Sequence, residues 1–215
     1  MKIQLQLALD MPNKKKAIKI ANQTAKFIDI IEAGTPLIKE ESLHIVKTFK
    51  KRFPKKKILA DMKTMDVGAL EAKLAFDAGA DITTVCLSAP KETILSAINS
   101  AKKNKQVMLD TIGLNKKEIL IKLKQLKKRP LYICLHRAID EKLHKSITNL
   151  LACIKDIKRL TKNKVKIAVA GSINDKIARQ IMALKEKPDI VIVGSAITKA
   201  KNPEIIARKI KEILK

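Results

Sequence analysis

The sequence predicts a single-domain (β/α)8 barrel over residues 1–215, and three observations lead to this fold class. Eight short apolar runs with strand character recur roughly every 25 to 30 residues. The segments between them carry apolar residues at helical spacing, and alternating strands and helices build such barrels. Several runs end in ionisable residues, at the strand ends where these barrels hold their active sites. A doubly wound open sheet is the competing architecture, but it usually has fewer strands.

The eight predicted strands begin with "IQLQLALD" and finish with "DIVIVGS". They cover residues 3–10, 27–34, 57–63, 81–87, 106–113, 131–137, 165–172 and 189–195. The connecting segments include "KKKAIKIANQTAK" and "ESLHIVKTFKKRF", whose apolar residues fall three and four positions apart, as on one face of a helix. A chain of 215 residues is near the lower size limit of this fold, so we expect short loops and one domain.

The composition is strongly basic, with 46 Lys and Arg against 21 Asp and Glu and a formal net charge of +25. Such a charge favours nucleic acid, an anionic membrane surface or an anionic substrate as partner. Only six of the basic residues are Arg, the usual residue for forked phosphate contacts, and aromatic residues are only 2% of the chain. Nucleic-acid binding as the main function is therefore disfavoured. The apolar runs are far shorter than the ~20 residues of a membrane span.

The sequence also predicts a cytoplasmic protein without disulfides. The N-terminus "MKIQLQLALD" alternates polar and apolar residues and lacks the cleavage site of a signal peptide. Cys86, Cys134 and Cys153 have no metal-binding spacing. Cys86 and Cys134 lie in apolar runs, where a reduced thiol behaves as a small hydrophobic group.

The predicted strand ends carry most of the reactive side chains. Read in chain order, these residues are Asp10, Glu32, Asp61 with Lys63, Asp110, His136, Gly171 and Gly194. The fourth strand, which ends near Cys86, offers no obviously reactive group. For Asp10 and Asp110 a second interpretation stays open, because a carboxylate after a strand also suits the N-cap of the next helix.

The segment "ADMKTMD" places two acids and a base around the end of the third strand. Because strand side chains alternate, we expect Asp61 and Lys63 to point into the barrel mouth and Met62 to face the helices. Their opposite charges offset the cost of burial. Asp66 follows on the loop, where it can meet Lys63 or reach beyond its own barrel. The array suits cation binding and proton transfer, and a surface salt-bridge turn is the alternative.

Two more strand ends complete the predicted chemistry. Glu32 would lie beside Asp61, and two neighbouring carboxylates with water suit Mg²⁺. His136 could act as a base near neutral pH, although a single histidine at a strand end is as often structural.

The last two strands end in "AVAGSI" and "VIVGSAI", each with a Gly-Ser pair before an expected helix. Glycine lets backbone amides approach an oxyanion, and the following helix N-terminus attracts it. Paired sites after strands seven and eight commonly bind phosphate in these barrels. We therefore expect a phosphorylated substrate at Gly171, Ser172, Gly194 and Ser195.

The motifs "LQLALD", "DIIEAGTPLI", "LADMKTMDVGALEA", "AGADITTV", "VAGSI" and "IVIVGSAIT" resemble 3-hexulose-6-phosphate synthases, in order and spacing, over nearly the whole chain. These enzymes belong to the orotidine 5′-monophosphate decarboxylase suprafamily, which shares the Asp-x-Lys-x-x-Asp element. The resemblance implies a reversible, Mg²⁺-dependent (or Mn²⁺-dependent) aldol addition of formaldehyde to D-ribulose 5-phosphate through a 1,2-enediolate. It also implies a homodimer with shared active sites.

The resemblance also implies residue roles. Glu32 and Asp61 correspond to the metal ligands, and Asp10 and Lys63 to substrate contacts. Asp66 resembles the carboxylate that such dimers contribute to the neighbouring subunit's site, next to its Lys63.

At the other strand ends, His136 resembles the acid/base near C1 of the substrate. Gly171, Gly194 and Ser195 resemble the phosphate-binding turns. Arg137 is a further candidate substrate contact, with an outward orientation as the open alternative.

The segment "HRAID" departs from the synthases, which usually lack Arg after the histidine. The related 3-keto-L-gulonate 6-phosphate decarboxylases tend to have "HR" there with another Arg two residues on, where Ile139 stands here. A decarboxylase of this kind is therefore the alternative function. Ser172 occupies a place where a second Gly is frequent. Orotidylate decarboxylase is less favoured, because Ser195 stands where an Arg usually accompanies the last phosphate-binding glycine.

Overall fold

Eight parallel strands form a closed barrel in chain order in the computed structural model, which describes residues 3–102, 104–126, 130–138, 140 and 151–215. The strands are β1 Gln4–Leu9, β2 Ile30–Ala33, β3 Lys57–Thr64, β4 Ile82–Cys86, β5 Gln106–Asp110, β6 Tyr132–His136, β7 Lys166–Ala170 and β8 Ile190–Val193. The barrel closes where β8 pairs with β1. The predicted (β/α)8 barrel is confirmed, and all eight predicted strands are present.

Helices alternate with the strands in the described part of the chain. They are α1 Lys14–Thr24, α2 Thr35–Glu41, α3 His44–Arg52, α4 Gly68–Asp77, α5 Lys91–Ser100, α6 Lys116–Gln125, α7 Cys153–Leu160, α8 Asp175–Met182, α9 Ser195–Thr198 and α10 Pro203–Ile213. Among the described residues, no helix combines the length and the apolar character needed to cross a membrane.

Asparagine begins four of these helices. The side chains of Asn13, Asn115, Asn174 and Asn202 each accept a hydrogen bond from the backbone N–H three residues on. At α6 the cap is reciprocal, because Glu118 also accepts from the N–H of Asn115. Asp10 and Asp110 are therefore not the caps of the helices that follow them, and that interpretation of the two carboxylates was wrong.

An aspartate directly precedes β2, β4 and β8 and joins each strand to the one before it. Asp29, Asp81 and Asp189 accept hydrogen bonds of 2.7, 2.9 and 2.8 Å from backbone N–H groups at the start of β1, β3 and β7. Asp81 is also paired with Lys50 at 2.8 Å. These contacts satisfy strand N–H groups at the barrel end away from the cavity.

The apolar core has two layers. One fills the barrel interior, with Ile30, Leu59, Met108, Tyr132 and Ile190 among its buried members. The larger layer lies between the strands and the helices, and the half-buried Met62 packs against it. Met62 thus faces the helices, as the alternation of strand side chains predicts.

Replacing Asp81 tests the contacts that start the strands. We expect Asp81→Ala to lower the free energy of unfolding by about 1–3 kcal/mol, because the N–H of Ile58 loses its partner. The matched control is Asp77→Ala, which removes an exposed carboxylate paired with Lys73 on α4 and should cost less than ~1 kcal/mol. Urea denaturation measures both, and an equal cost for the two variants would contradict this role of Asp81.

Candidate active site

A cavity of about 360 Å³ opens at the C-terminal ends of the strands. Nine of the predicted site residues line it: Asp10, Glu32, Asp61, Lys63, His136, Gly171, Ser172, Gly194 and Ser195. Asp110, Thr84 and Gln6 also line it, although sequence reasoning gave them no role. Asp66 and Arg137 are not among its lining residues.

The cavity is acidic although the chain is strongly basic. Its described lining contains five carboxylates and one ammonium group, against a formal net charge of +25 for the whole chain. A cavity of this charge would repel an anionic substrate unless a cation enters with it.

Lys63 joins two carboxylates within the cavity. Its Nζ lies 2.5 Å from Oδ2 of Asp61 and 3.3 Å from Oδ2 of Asp110. Burial alone would lower the pKa of Lys63, but the charges of Asp61 and Asp110 outweigh it and raise this pKa well above its ordinary value. Lys63 is therefore a fixed ammonium group at neutral pH.

An irregularity in β3 gives Lys63 this position. The pairing with β4 shifts between Ala60 and Thr64, and Lys63 has left-handed backbone torsion, with φ 47°. Its N–H donates to Oγ1 of Thr84 at 2.9 Å, and this hydroxyl donates to Oδ1 of Asp61 at 2.7 Å. β4, where the sequence shows no reactive group, thus holds both Asp61 and the backbone of Lys63 through Thr84.

Asp61 is nearly saturated with hydrogen-bond donors. Besides Lys63 and Thr84, it interacts with Thr35, whose Oγ1 lies 2.8 Å from Oδ2. A carboxylate has about four lone-pair sites, so Asp61 retains one on Oδ1. That remaining position is where it could ligate a cation.

Glu32 is buried beside these groups. Its Oε2 accepts from Nε2 of Gln6 at 2.6 Å, and no donor to Oε1 is found among the described residues. Burial, followed by the charges of Asp61 and Asp10, raises the pKa of Glu32 well above its ordinary value of 4.5. Ionised Glu32 therefore destabilises the folded chain. This cost is absent below the ordinary pKa and grows as pH rises toward the pKa of the folded state.

Asp110 connects Lys63 to His136. Oδ2 of Asp110 lies 2.9 Å from Nδ1 of His136, and Oδ1 lies 3.1 Å from it. Although burial would raise the pKa of Asp110, the hydrogen bond and charge of His136, with Lys63, lower it. Oδ1 also accepts from the N–H of Ile112 at 2.9 Å. Asp110 thus stays ionised, holds Nδ1 of the imidazole and leaves Nε2 available.

Asp10 lies between two glycines. A Cβ on Gly34 would come within 2.0 Å of Oδ1 of Asp10, and a Cβ on Gly194 would lie 3.4 Å from Oδ2. Burial and then the charge of Asp61 raise the pKa of Asp10. Gly34 belongs to the quoted segment "DIIEAGTPLI", and its lack of a side chain is what makes room for Asp10.

The turns after β7 and β8 form one side of the cavity. Gly171 and Ser172 both have positive φ, 112° and 51°, so Ser172 occupies a left-handed conformation that favours glycine. A Cβ on Gly171 would lie 2.6 Å from the carbonyl oxygen of Arg137, which packs against this turn. Arg137 therefore supports the turn through its backbone, and Ile139 lies outside the described residues.

Asp66 is exposed and lies outside the cavity of its own chain. Its Oδ1 accepts from the N–H of Val67 at 2.7 Å, and no contact with Lys63 is found in the described residues. Six large hydrophobic side chains are exposed in the described part of the chain, and four of them lie near Asp66 in sequence. These four are Met65, Val67, Leu70 and Leu74, each 48–56% exposed. An apolar patch of this kind is typical of a surface that binds another protein.

The family model for the orotidine 5′-phosphate decarboxylase / HUMPS family matches residues 3–210. A 3-hexulose-6-phosphate synthase from Bacillus subtilis is 38% identical over 214 residues, which are 99% of each chain. The crystal structure of 3-hexulose-6-phosphate synthase from Salmonella typhimurium has a TM-score of 0.86 at 36% identity, covering 99% of this chain and 98% of that one. A 3-keto-L-gulonate-6-phosphate decarboxylase from Vibrio cholerae has a TM-score of 0.80 at 25% identity, covering 100% and 98%.

The chain belongs to the orotidine 5′-phosphate decarboxylase / HUMPS family. The predicted resemblance to 3-hexulose-6-phosphate synthases and the predicted lyase class are confirmed by these relatives.

Glu32→Gln tests the electrostatic cost of the acidic cavity. Because the folded state disfavours the ionised carboxylate, we expect the variant to be more stable than wild type at pH 8 and close to it at pH 4. The wild-type chain should lose stability relative to the variant as pH rises between these limits. Thermal and urea denaturation across pH measure the difference.

The control is Glu40→Gln on the exposed side of α2, which should change stability by less than about 0.5 kcal/mol at every pH. A variant Glu32→Gln that is less stable than wild type at pH 8 would contradict the sign of the effect.

Proposed function

We propose that the chain catalyses the reversible aldol addition of formaldehyde to D-ribulose 5-phosphate, which gives 3-hexulose 6-phosphate. The observation that carries the proposal is the chain of contacts from Asp61 through Lys63 and Asp110 to His136 at the mouth of the barrel. It puts the ammonium group of Lys63 and the oriented imidazole of His136 in the same cavity as the two Gly-Ser turns after β7 and β8. The near full-length similarity to 3-hexulose-6-phosphate synthases supports the same reaction.

The phosphate is proposed to bind at the turns after β7 and β8. The backbone around Gly171, Ser172, Gly194 and Ser195 faces the cavity, and the positive φ of Gly171 and Ser172 is compatible with amides turned toward an anion. Asp10 lies next to Gly194 and is therefore suited to contact a hydroxyl of the bound sugar.

His136 is proposed to remove a proton from C1 of the sugar. Asp110 accepts from Nδ1–H and so fixes the tautomer in which Nε2 is the basic nitrogen. The electron pair of the broken C1–H bond enters the 1,2-enediolate, whose oxygens gain negative charge. Lys63 supplies a nearby ammonium that stabilises this charge.

The carbon–carbon bond then forms between C1 and the formaldehyde carbon. The formaldehyde C=O electron pair moves to oxygen, which takes up a proton to become the new hydroxymethyl group. Protonated His136 is suited to return the proton, so the imidazole is regenerated in each turnover. The reverse reaction uses the same steps in the opposite order.

Mg²⁺ is proposed as the cofactor, with Mn²⁺ as a possible substitute, held by Glu32 and Asp61. The fit is supported by the second oxygen of Glu32, the remaining lone pair of Asp61 and the charges of Asp61 and Asp10, which add to burial in raising the pKa of Glu32. When bound, the ion would supply positive charge beside the enediolate oxygens. Its entry would also lower the repulsion between the cavity and a sugar phosphate.

A homodimer that shares its active sites is part of the proposal. Asp66 lies outside its own cavity, and exposed apolar side chains lie close to it in sequence, an arrangement suited to a carboxylate that crosses an interface. In the partner it would approach Lys63. The setting is proposed to be cytoplasmic. All three cysteines lie in the described residues, and none forms a disulfide, which suits a reducing compartment.

Decarboxylation of 3-keto-L-gulonate 6-phosphate is the second candidate function. The pair His136-Arg137 favours it, whereas the lower identity of 25% to a decarboxylase of this type disfavours it. Nucleic-acid binding is a third candidate on charge alone, and it gains no support from the acidic cavity.

A pair of assays tests the first proposal. We expect the purified chain to consume formaldehyde with ribulose 5-phosphate, to lose this activity in a chelator and to recover it with Mg²⁺. Carbon dioxide release from 3-keto-L-gulonate 6-phosphate is measured in parallel. Release of carbon dioxide without formaldehyde consumption would establish the decarboxylase function instead. RNA binding that weakens with salt and is not displaced by ribulose 5-phosphate would favour a nucleic-acid-binding barrel.

Mg²⁺ should also raise the melting temperature of the wild-type chain, since it binds only the folded state. Glu32→Gln should remove this rise. An equal rise in both chains would exclude Glu32 as a ligand.

Mixing two inactive variants tests the shared site. Asp66→Asn and Lys63→Ala should each be nearly inactive as homodimers. A mixed dimer combines both changes in one site and leaves the other intact. Equal mixing with random exchange should therefore recover about a quarter of wild-type activity. The control mixes Asp77→Asn with Lys63→Ala. Every site that takes Lys63 from an Asp77→Asn chain is intact there, so the mixture should have about half the wild-type activity. No recovery despite demonstrated exchange would assign Asp66 to its own subunit.

A further inference from the structure

Three side chains of β5 and β6 form a separate group of metal-ligating atoms in the cavity. One ligand atom each of Asp110, Cys134 and His136 lies within 4.8 Å of the others. Among the described residues, no other group of three or more His, Cys, Asp and Glu side chains meets this condition. All three residues line the cavity, so an ion can reach them from solvent.

The barrel register creates this group. Asp110 and Cys134 are directly paired across β5 and β6, and both side chains are buried. His136 follows Cys134 by two residues, so both point into the barrel on one strand face. The sequence signal is the short segment "CLH", in which Cys134 and His136 share a face.

We propose that Asp110, Cys134 and His136 bind a thiophilic divalent cation, with Zn²⁺ as the expected ion, and that this ion inhibits the enzyme. The binding stands on the geometry alone, and only the inhibition rests on the proposed function. An imidazole nitrogen, a thiolate and a carboxylate are the ligands that Zn²⁺ accepts, whereas Mg²⁺ prefers oxygen. Three protein ligands leave a fourth position open to water.

The charges around the group favour a cation but oppose a free thiolate. Burial, and then the charge of Asp110, raise the pKa of Cys134 well above its ordinary value. Binding must therefore break the S–H bond as the metal–sulfur bond forms, and the proton leaves to solvent. The apparent affinity for Zn²⁺ should consequently increase with pH.

Occupation of this group would remove two parts of the catalytic arrangement. It would take His136 as a ligand and so withdraw the proposed base. It would also neutralise Asp110, whose Oδ2 lies 3.3 Å from Nζ of Lys63. Zn²⁺ should therefore lower activity even when Mg²⁺ is saturating, since the two ions would use different side chains.

Co²⁺ tests the binding without any activity measurement, because a thiolate ligand gives Co²⁺ an intense near-ultraviolet charge-transfer absorption that oxygen ligands do not give. We expect wild type to develop this absorption and Zn²⁺ to remove it. Cys134→Ala should lose it, and Cys134→Ser serves if the alanine variant does not fold. Cys86→Ala is the matched control and should keep the absorption. Cys86 is also buried, at the end of β4 on the other side of β5, but it lies outside the group.

Inhibition is measured separately, in the formaldehyde assay with saturating Mg²⁺. Cys134→Ala should stay active with Mg²⁺, and the Zn²⁺ concentration for half inhibition should rise at least about 10-fold, as loss of a supporting ligand typically causes. No thiolate absorption in wild type, or its loss in Cys86→Ala but not in Cys134→Ala, would overturn the site. Absorption with equal Zn²⁺ inhibition of wild type and Cys134→Ala would overturn the inhibitory role. A chain inactive with formaldehyde that still shows the absorption would contradict the proposed function and leave the metal site standing.

Discussion

The ammonium group of Lys63 is the charge on which the rest of the cavity depends. It is held between Asp61 and Asp110 in a lining that contains five carboxylates. Without this ammonium, Asp61 would be a buried carboxylate with no cation in contact with it, and Asp110 would keep only His136, a costly arrangement. With it, each aspartate can orient further groups: Asp61 contacts Thr35 and Thr84, and Asp110 holds His136.

The fold positions the Lys63 ammonium and its neighbours through local departures from regular structure. Lys63 reaches the cavity because β3 breaks its register with β4 and the backbone of Lys63 turns left-handed. Gly34 leaves space for Asp10, and Ser172 adopts a torsion that favours glycine. Such strained positions concentrate at functional sites and are held by the regular structure around them. The opposite end of the barrel is correspondingly regular, with Asp29, Asp81 and Asp189 repeating one contact.

The fold and much of the cavity could be predicted from the sequence, because apolar runs end abruptly at reactive residues. The eight strands and the neighbourhood of Asp61 and Lys63 follow from that pattern. Thr84 and Gln6 were missed because an uncharged polar residue within an apolar run carries no sign of a role in a site. Asp110 was seen but given no role; "NKKE" at Asn115 already indicates a capping box that excludes it as the helix cap. The position of Asp66 depends on a second chain, which one sequence cannot describe.

Hydrogen exchange at C1 of ribulose 5-phosphate tests most directly whether this charge arrangement makes His136 a base. The sugar phosphate is incubated with the enzyme and Mg²⁺ in deuterated water without formaldehyde, and C1 is followed by NMR. We predict that one C1 hydrogen exchanges with solvent in wild type and that His136→Asn slows this exchange by about 10²- to 10⁴-fold. Exchange at the wild-type rate in a folded His136→Asn variant would contradict the role of the Lys63–Asp110–His136 contacts in proton removal.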